Sequence, residues 1–245
     1  MHPWRWTMKT LLTWISRILD FLFPRFCLVC GCRLAAGEEH VCCSCLFGLP
    51  RTGYHLNPYD NPMARCFWGL VRNLERVAAY MYYYPHSRET QLILQLKYHH
   101  QPDIGIFLGR MMATDLMPSG FFDGIDLILP LPLTRNRKRA RGYNQSEMLA
   151  RGISSVTGIP VDTGSVRRVS FRQSQTRLQR WDRIRNVAGA YRLNPKADLS
   201  GRHVLLVDDV CTTGSTLTAL AEVLDGIPSI RISILVAAFA RTSPG

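Results

Sequence analysis

The chain has 245 residues, of which 47% are hydrophobic and 20% are charged. These values are those of an ordinary globular protein, so they exclude disordered, collagen-like and low-complexity architectures. The length corresponds to roughly 1.6 average domains, which predicts one full-sized domain with a smaller appendage, or one large domain.

Positive charge is concentrated in one part of the sequence. The formal net charge is +12 and the sequence pI is about 9.7. Residues 134–192 hold fourteen Lys and Arg residues but only three acids. Such a segment attracts polyanions, whether nucleic acid, a polyphosphate metabolite or an acidic lipid. A solvated charged face normally mixes both signs, so we favour an anion-binding role, and basicity alone does not identify the anion.

Residues 1–26 predict an amphipathic helix that ends at Pro24. Its apolar residues recur at helical spacing, and they are Leu11, Leu12, Ile15, Ile18, Leu19 and Leu22. Packing against the body of the protein is the favoured role, with a membrane-surface or partner-docking helix as the alternative. Because Arg17, Asp20 and Arg25 interrupt the apolar stretch, we expect no transmembrane segment.

Six of the eight cysteines lie between Cys27 and Cys45. No secretory signal fits the N-terminus, so we expect a cytoplasmic, reduced protein in which clustered cysteines indicate a metal site. Two C-x-x-C pairs at this separation are typical of a structural Zn²⁺ site with four thiolate ligands, and Gly31 suits the tight turn after the first pair. The ligands that preserve both pairs are Cys27, Cys30, Cys42 and Cys45. Cys32 and Cys43 remain alternatives.

The rest of the chain predicts a connector followed by a larger domain. Residues 46–75 contain Gly, Pro and Asn with little periodicity, so the zinc ribbon and its connector together span 27–75, and the domain spans 76–245. The predicted elements, in order, are a strand at 77–84, helices at 87–98 and 106–117, a strand at 125–131, a basic loop, a helix at 144–156, a weak strand that opens at 160–161, a polar segment at 172–186, a strand at 204–207, a helix at 214–224 and a strand at 230–239. Strands that alternate with helices predict a parallel α/β sheet buried on both faces.

The most informative stretch is residues 203–217, with the sequence HVLLVDDVCTTGSTL. An apolar strand delivers Asp208 and Asp209 to its carboxyl end, where open α/β sheets bind ligands. The next residues are small and hydroxylated, include a glycine and lead into a helix, so their N–H and hydroxyl groups predict a phosphate-binding loop. The two carboxylates cannot bind phosphate, and we expect them to bind sugar hydroxyls or a magnesium ion.

The sequence VLLVDDVCTTGSTL resembles the phosphoribosyl-pyrophosphate (PRPP) motif of type I phosphoribosyltransferases. The resemblance implies that Asp208 and Asp209 hold the ribose 2′- and 3′-hydroxyls, and that Mg²⁺ accompanies PRPP. The residues implied to hold the 5′-phosphate are Thr212, Thr213, Gly214, Ser215 and Thr216. The family's pyrophosphate loop follows the first core strand, which places it after Leu131, with Arg135 and Arg137. The implied reaction is displacement of pyrophosphate from the ribose C1 by a nitrogenous acceptor.

The order of motifs along the chain is similar to that of the ComF family, phosphoribosyltransferase-like proteins connected with bacterial competence for DNA uptake. After the cysteine module come RxRGYNQS at 139–146, Gln175-Thr176, Arg185-Asn186 and the PRPP motif. The resemblance covers residues from about 25 to 241. It implies an α/β fold, with a type I phosphoribosyltransferase-like parallel sheet flanked by helices and a small N-terminal zinc ribbon. The implied partners are PRPP or a related phosphorylated ribose, and competence or DNA-processing proteins.

The arginine-rich stretch at 168–186 lies where related enzymes carry a mobile loop over the reacting pyrophosphate. On this interpretation Arg172, Arg177 and Arg185 close over the leaving group and exclude water. The alternative is a surface for single-stranded nucleic acid, on which the fold would be a non-catalytic scaffold. Thr212 stands where purine-salvage relatives carry an acid, so the acceptor, and whether any transfer occurs, stay open.

Overall fold

A computed structural model describes residues 24–98, 101–169 and 189–240. The chain divides into two compact units, Met1–Leu49 and Pro50–Gly245. The predicted N-terminal helix and nearly all of the arginine-rich stretch lie outside the described residues. Among the described helices, none is long and apolar enough to cross a membrane.

The described part of the first unit, residues 24–49, is built mainly from turns. An antiparallel bridge joins Phe26 to Arg33. Gly31 lies between them with a φ of +74°, the left-handed conformation that the sequence predicts there. A short helix, α1, spans Cys43–Phe47.

The second unit alternates strands and helices along the chain. Its elements are β1 (Leu74–Tyr82), α2 (Thr90–Tyr98), α3 (Pro102–Leu116), β2 (Leu127–Pro130), α4 (Arg135–Arg141), α5 (Gln145–Thr157), β3 (Val166–Arg168), β4 (Tyr191–Leu193), β5 (His203–Cys211), α6 (Ser215–Leu224) and β6 (Arg231–Phe239). Single 3₁₀ turns occur at Tyr54–Leu56, Ala64–Cys66 and Met117–Ser119.

Four of these strands form one parallel sheet in the order β1-β6-β5-β2. Val161 extends the sheet beyond β2 through a parallel bridge to Ile128. Residues 204–207 of β5 are completely buried, as expected for a central strand covered on both faces. The predicted parallel α/β sheet is therefore confirmed, and β3 and β4 form a separate antiparallel pair.

Helices α3 and α5 approach each other closely because glycines line their contact. A Cβ at Gly109 would lie 2.2 Å from the carbonyl oxygen of Leu149, and one at Gly152 would lie 2.2 Å from that of Ile106. Only glycine permits this separation, since real Cβ atoms do not approach a carbonyl oxygen so closely. The contact therefore packs the middle of α5 directly against α3.

Two segments differ from the sequence-based expectation. The prediction of a basic loop after β2 is wrong in part, because the arginines of this segment form the helix α4. Thr134 caps this helix, since its hydroxyl accepts a hydrogen bond from the Arg137 N–H at 3.4 Å. The segment predicted as a connector is not a bare linker, since its residues from 50 onward belong to the second unit. Met63 and Phe67, which flank the 3₁₀ turn Ala64–Cys66, are fully buried there.

Candidate functional site

The two predicted acidic residues lie at the carboxyl end of β5. This strand runs parallel between β6 and β2, so its end opens at the sheet edge where ligand sites of such sheets form. Asp208 is 8% exposed, and the side chain of Asp209 is 14% exposed. Two adjacent carboxylates are thus held largely out of water.

One carboxylate oxygen of Asp208 accepts two hydrogen bonds. The hydroxyl of Ser146, in the first turn of α5, donates to Oδ1 at 2.9 Å, and the backbone N–H of Asp209 donates to the same oxygen at 2.8 Å. Burial, followed by the negative charge of Asp209, raises the pKa of Asp208 to about 7, while these hydrogen bonds and the ammonium of Lys97 oppose the shift. The carboxyl group of Asp208 therefore changes charge near neutral pH.

Asp209 pairs with a lysine that the sequence analysis did not single out. The Nζ atom of Lys97, in α2, lies 3.2 Å from Oδ2 of Asp209. The hydroxyl of Tyr143 donates to the carbonyl of Leu96 at 2.9 Å, which fixes this end of α2 beside the turn between α4 and α5. No motif marks Lys97, because its partner lies far along the chain and only the fold brings the two together.

Residues 212–216, here named the β5–α6 loop, follow the two carboxylates and include the first two residues of α6. Gly214 has a φ of +77° and immediately precedes α6. A Cβ at this position would lie 2.9 Å from the ring of Phe67, so both the backbone conformation and the packing require glycine. The hydroxyl of Thr213 donates to that of Ser215 at 3.2 Å. With the free N–H groups of the first turn of α6, the loop has the donors that a phosphate group needs.

The arginines predicted to receive pyrophosphate are only partly described. Arg135 begins α4, and Arg137 lies in the first turn of the same helix. Burial raises the pKa of Tyr191 to about 12, and the positive charges of Arg168 and Arg137 oppose this shift. The remaining predicted arginines lie outside the described residues, namely Arg172, Arg177 and Arg185.

A cavity of about 460 Å³, here named the cation cavity, lies beside the end of β2 and the β3–β4 pair. Its basic lining residues are Arg135, Lys138, Arg167, Arg168 and Arg192. One carboxylate, that of Glu147, also lines it, and this carboxylate is paired with Lys138 at 3.5 Å and with Arg151 at 2.8 Å. The charge count of residues 134–192 indicated an anion-binding segment, but the sequence did not show which cations share a cavity.

A cluster of cysteines lies in the first unit. Four sulfur atoms are within 4.8 Å of one another, those of Cys27, Cys30, Cys32 and Cys42. The sulfurs of Cys30 and Cys42 are 3.7 Å apart, close to the roughly 3.8 Å expected for two thiolates on one tetrahedral zinc ion. The backbone N–H of Cys42 donates to the sulfur of Cys27 at 3.3 Å, which stabilises a thiolate there. This donor set fits a metal ion.

Cys45, the fourth predicted ligand, is outside that group of four but adjacent to it. Burial, followed by contacts with three of the clustered thiols, raises the pKa of Cys45. Cys32, one of the two alternatives, belongs to the group instead. Cys43, the other alternative, interacts with Glu38. The backbone N–H of Cys43 donates a hydrogen bond to the Glu38 carboxylate at 2.7 Å. The cluster thus offers two choices for a fourth ligand.

Comparison with known protein families identifies a matching domain in the second unit. The family described as "Phosphoribosyl transferase domain" matches residues 132–244, which include β5, the β5–α6 loop and α6. Together with the parallel sheet, this match shows that the second unit has the fold of a type I phosphoribosyltransferase. Among solved structures, the glutamine PRPP amidotransferase of B. subtilis complexed with ADP and GMP is 20% identical, with a TM-score of 0.37, over 58% of this chain and 30% of that chain.

Two curated relatives extend the similarity beyond the matched domain. DNA utilization protein YhgH of Escherichia coli O6:H1 is 32% identical over 222 residues, which are 87% of this chain and 90% of that protein. Competence protein F of Haemophilus influenzae is 37% identical over 147 residues, which are 58% of this chain and 64% of that protein. The chain belongs to the ComF family of type I phosphoribosyltransferase-like proteins.

Proposed function

We propose that the protein binds PRPP with Mg²⁺ at the carboxyl end of β5 and acts in DNA uptake or nucleotide metabolism. The observation that carries the proposal is the juxtaposition of the Asp208–Asp209 pair with a glycine-dependent loop at a helix N-terminus. The carboxylate pair suits ribose hydroxyls, and the loop at the helix N-terminus suits a phosphate. The relatives named for competence and DNA utilization support the link to DNA. We place this function in the cytoplasm, where thiols stay reduced and available to a metal.

The proposed roles follow from the chemistry of each group. The carboxylates of Asp208 and Asp209 would accept hydrogen bonds from the ribose 2′- and 3′-hydroxyls, while residues 212–216 would hold the 5′-phosphate. Carboxylate oxygens are also the donors that Mg²⁺ prefers, and the ion would neutralise the charge of the pyrophosphate. Arg135 and Arg137 would orient the pyrophosphate from α4, with Arg172, Arg177 and Arg185 from the arginine-rich stretch.

A double substitution tests the carboxylates. We expect Asp208→Asn with Asp209→Asn to abolish Mg²⁺-dependent PRPP binding in calorimetry while the fold is retained, because amides are far weaker ligands for Mg²⁺ than carboxylates. The control is Asp198→Asn with Glu222→Gln, which removes two exposed carboxylates elsewhere in the same unit. Unchanged affinity in the first variant would contradict the proposed site.

A second candidate function is binding of single-stranded nucleic acid without catalysis. The observation that favours it is α4, whose sequence RNRKRAR carries five cations in seven residues, most of them exposed. Neutralising phosphates releases counterions, so affinity for a single-stranded oligonucleotide should fall by about 0.7 log units per decade of salt for each contacted phosphate. A flat salt response would remove this candidate.

We also propose that the cysteine cluster holds one structural Zn²⁺ through Cys27, Cys30, Cys42 and Cys45. This set keeps both C-x-x-C pairs, and three of its sulfurs belong to the described group of four. A closed set of four thiolates leaves no open position on the metal, so the ion would stabilise the small first unit and take no part in transfer.

Metal analysis tests the zinc ligands one at a time. Protein purified without added metal should contain about one zinc per chain. Cys27→Ser and Cys42→Ser should each remove it, and Cys66→Ser, which changes a cysteine of the second unit, should not. Cys45→Ser should lower the zinc content more than Cys32→Ser does. The opposite order would assign Cys32 as the fourth ligand.

A further inference from the structure

The ammonium group of Lys97 occupies one of the two carboxylate oxygens of Asp209. Its Nζ lies 3.2 Å from Oδ2, and the backbone N–H of Val210 donates to the other oxygen, Oδ1, at 2.7 Å. Groups of this chain therefore already bind both oxygens of Asp209. The side chain of Lys97 is 25% exposed and that of Asp209 is 14% exposed, so water and salt screen this ion pair less than they screen a pair on the surface.

The packing of α2 sets the position of Lys97. Leu92, Ile93 and Leu96 of this helix are completely buried, and the carbonyl of Leu96 accepts the hydrogen bond from Tyr143. A lysine in the last turn of a helix is also favoured by the helix dipole. The dipole does not require the side chain to reach another element, whereas Lys97 pairs with a carboxylate at the end of β5. The ion pair is therefore a tertiary contact of the proposed PRPP site.

A divalent cation that arrives without PRPP would compete with this ammonium group. A cation bound to Oδ2 of Asp209 would lie beside Nζ of Lys97, and two positive charges at such a short distance repel each other strongly where water is largely excluded. Binding would first require the ion pair to break. A cation bound to PRPP differs, because the phosphate groups make the complex a net anion. Lys97 would then exchange Asp209 for a phosphate oxygen, to which it donates a charge-assisted hydrogen bond.

We propose that Lys97 blocks the binding of a free divalent cation at Asp209 and admits the cation only together with PRPP. The proposal rests on the proposed function and adds a control of that same site. It makes binding ordered, since the cation and PRPP enter as one complex and the cation does not enter first. Lys97 thereby determines which form of the cation the site accepts.

Titration of the full chain with MnCl₂, followed by electron paramagnetic resonance, tests the proposal. The titration is made at pH 8, above the pKa of about 7 of Asp208. The unmodified chain should bind Mn²⁺ weakly in the absence of PRPP. Lys97→Gln removes the charge but keeps a hydrogen-bond donor for Asp209, and it should bind Mn²⁺ alone at least about tenfold more tightly. In calorimetry the same variant should bind PRPP with Mg²⁺ at least about tenfold more weakly, because it loses a charge-assisted hydrogen bond to a phosphate.

Three further variants locate the effect. Lys97→Arg keeps the charge, so it should bind Mn²⁺ alone as weakly as the unmodified chain does. Lys196→Gln removes an exposed lysine of the same unit and should change neither affinity. Adding Asp209→Asn to Lys97→Gln should abolish the gained Mn²⁺ binding, because an amide is a far weaker ligand for the cation than a carboxylate.

Three results would overturn the proposal. They are no gain of Mn²⁺ binding in Lys97→Gln, an equal gain in Lys196→Gln, and a gain that survives Asp209→Asn. The Mn²⁺ titrations contain no PRPP, so they are independent of the proposed function. If the unmodified chain does not bind PRPP with Mg²⁺ but Lys97→Gln gains Mn²⁺ binding at Asp209, the proposed function fails and the block by Lys97 is supported. If PRPP binds and the gain of Mn²⁺ binding is absent, only the block by Lys97 fails.

Discussion

A Gly214→Ala variant should bind PRPP with Mg²⁺ about 30-fold more weakly than the unmodified chain. Gly214 has a φ of +77°, a conformation that costs other residues about 1–2 kcal/mol, and an added Cβ would lie 2.9 Å from the ring of Phe67. In the variant we expect the loop to shift, because a shift relieves both the backbone strain and the contact with the Phe67 ring. Ligand binding must then restore the original loop conformation, and this costs about 2 kcal/mol of binding free energy, which corresponds to about 30-fold in affinity. Calorimetric titration with PRPP and Mg²⁺ measures the change.

Two companion variants separate strain in the loop from a general loss of stability. Gly201 has a φ of +70° with no atom near its missing Cβ and lies before the amino end of β5, so Gly201→Ala should lower stability without changing PRPP affinity. Adding Phe67→Leu to Gly214→Ala should recover part of the affinity, because it removes the ring but not the backbone strain. Gly214→Ala with undiminished affinity would show that the β5–α6 loop does not hold the 5′-phosphate.

The sequence carried most of the sheet and the centre of the site because both depend on local patterns. The apolar run 204–207 predicts a buried strand, and Asp208, Asp209 and the β5–α6 loop follow it directly. Local signals were also present where the prediction failed. Thr134 and Gly142 are a standard capping residue and stop signal, and they bound α4 in the segment predicted as a loop.

The contacts that complete the site could not be predicted, because each joins residues far apart in sequence. Ser146 donates to Asp208, and Lys97 pairs with Asp209, only after α5 and α2 pack at the carboxyl end of the sheet. The opposition of Arg167 and Arg192 depends on the register of two strands separated by more than twenty residues. Composition showed that this region is basic, but only the ladder shows which two arginines face each other.

Asp208→Asn should make the protein more stable than the unmodified chain above about pH 7, by on the order of 2–4 kcal/mol. Burial and the charge of Asp209 raise the pKa of Asp208 to about 7 in the folded protein, against about 4 in the unfolded chain. Between these values the folded state binds the proton more tightly, so stability falls as the pH rises through this window. This loss of stability is complete above about pH 7, where Asp208 is ionised in the folded protein as well. An asparagine keeps the acceptor oxygen for Ser146 and carries no charge, so its variant escapes this loss.

Ionisation of Asp208 should lower the stability of the protein but raise its affinity for the ligand. These opposite pH dependences distinguish a carboxylate that binds ligand from one that is only structural. Affinity for PRPP with Mg²⁺ should rise with pH through about 7 in the unmodified chain and stay weak at every pH in Asp208→Asn. Ser146→Ala removes a hydrogen bond that favours the ionised form, so it should move the midpoint of both curves to higher pH. Denaturant unfolding and calorimetry over about pH 4–9 give the two curves, with Glu222→Gln as the surface control. A stability difference between Asp208→Asn and the unmodified chain that does not change with pH would show that Asp208 is already ionised throughout this range, and would remove the opposition between stability and binding at this carboxylate.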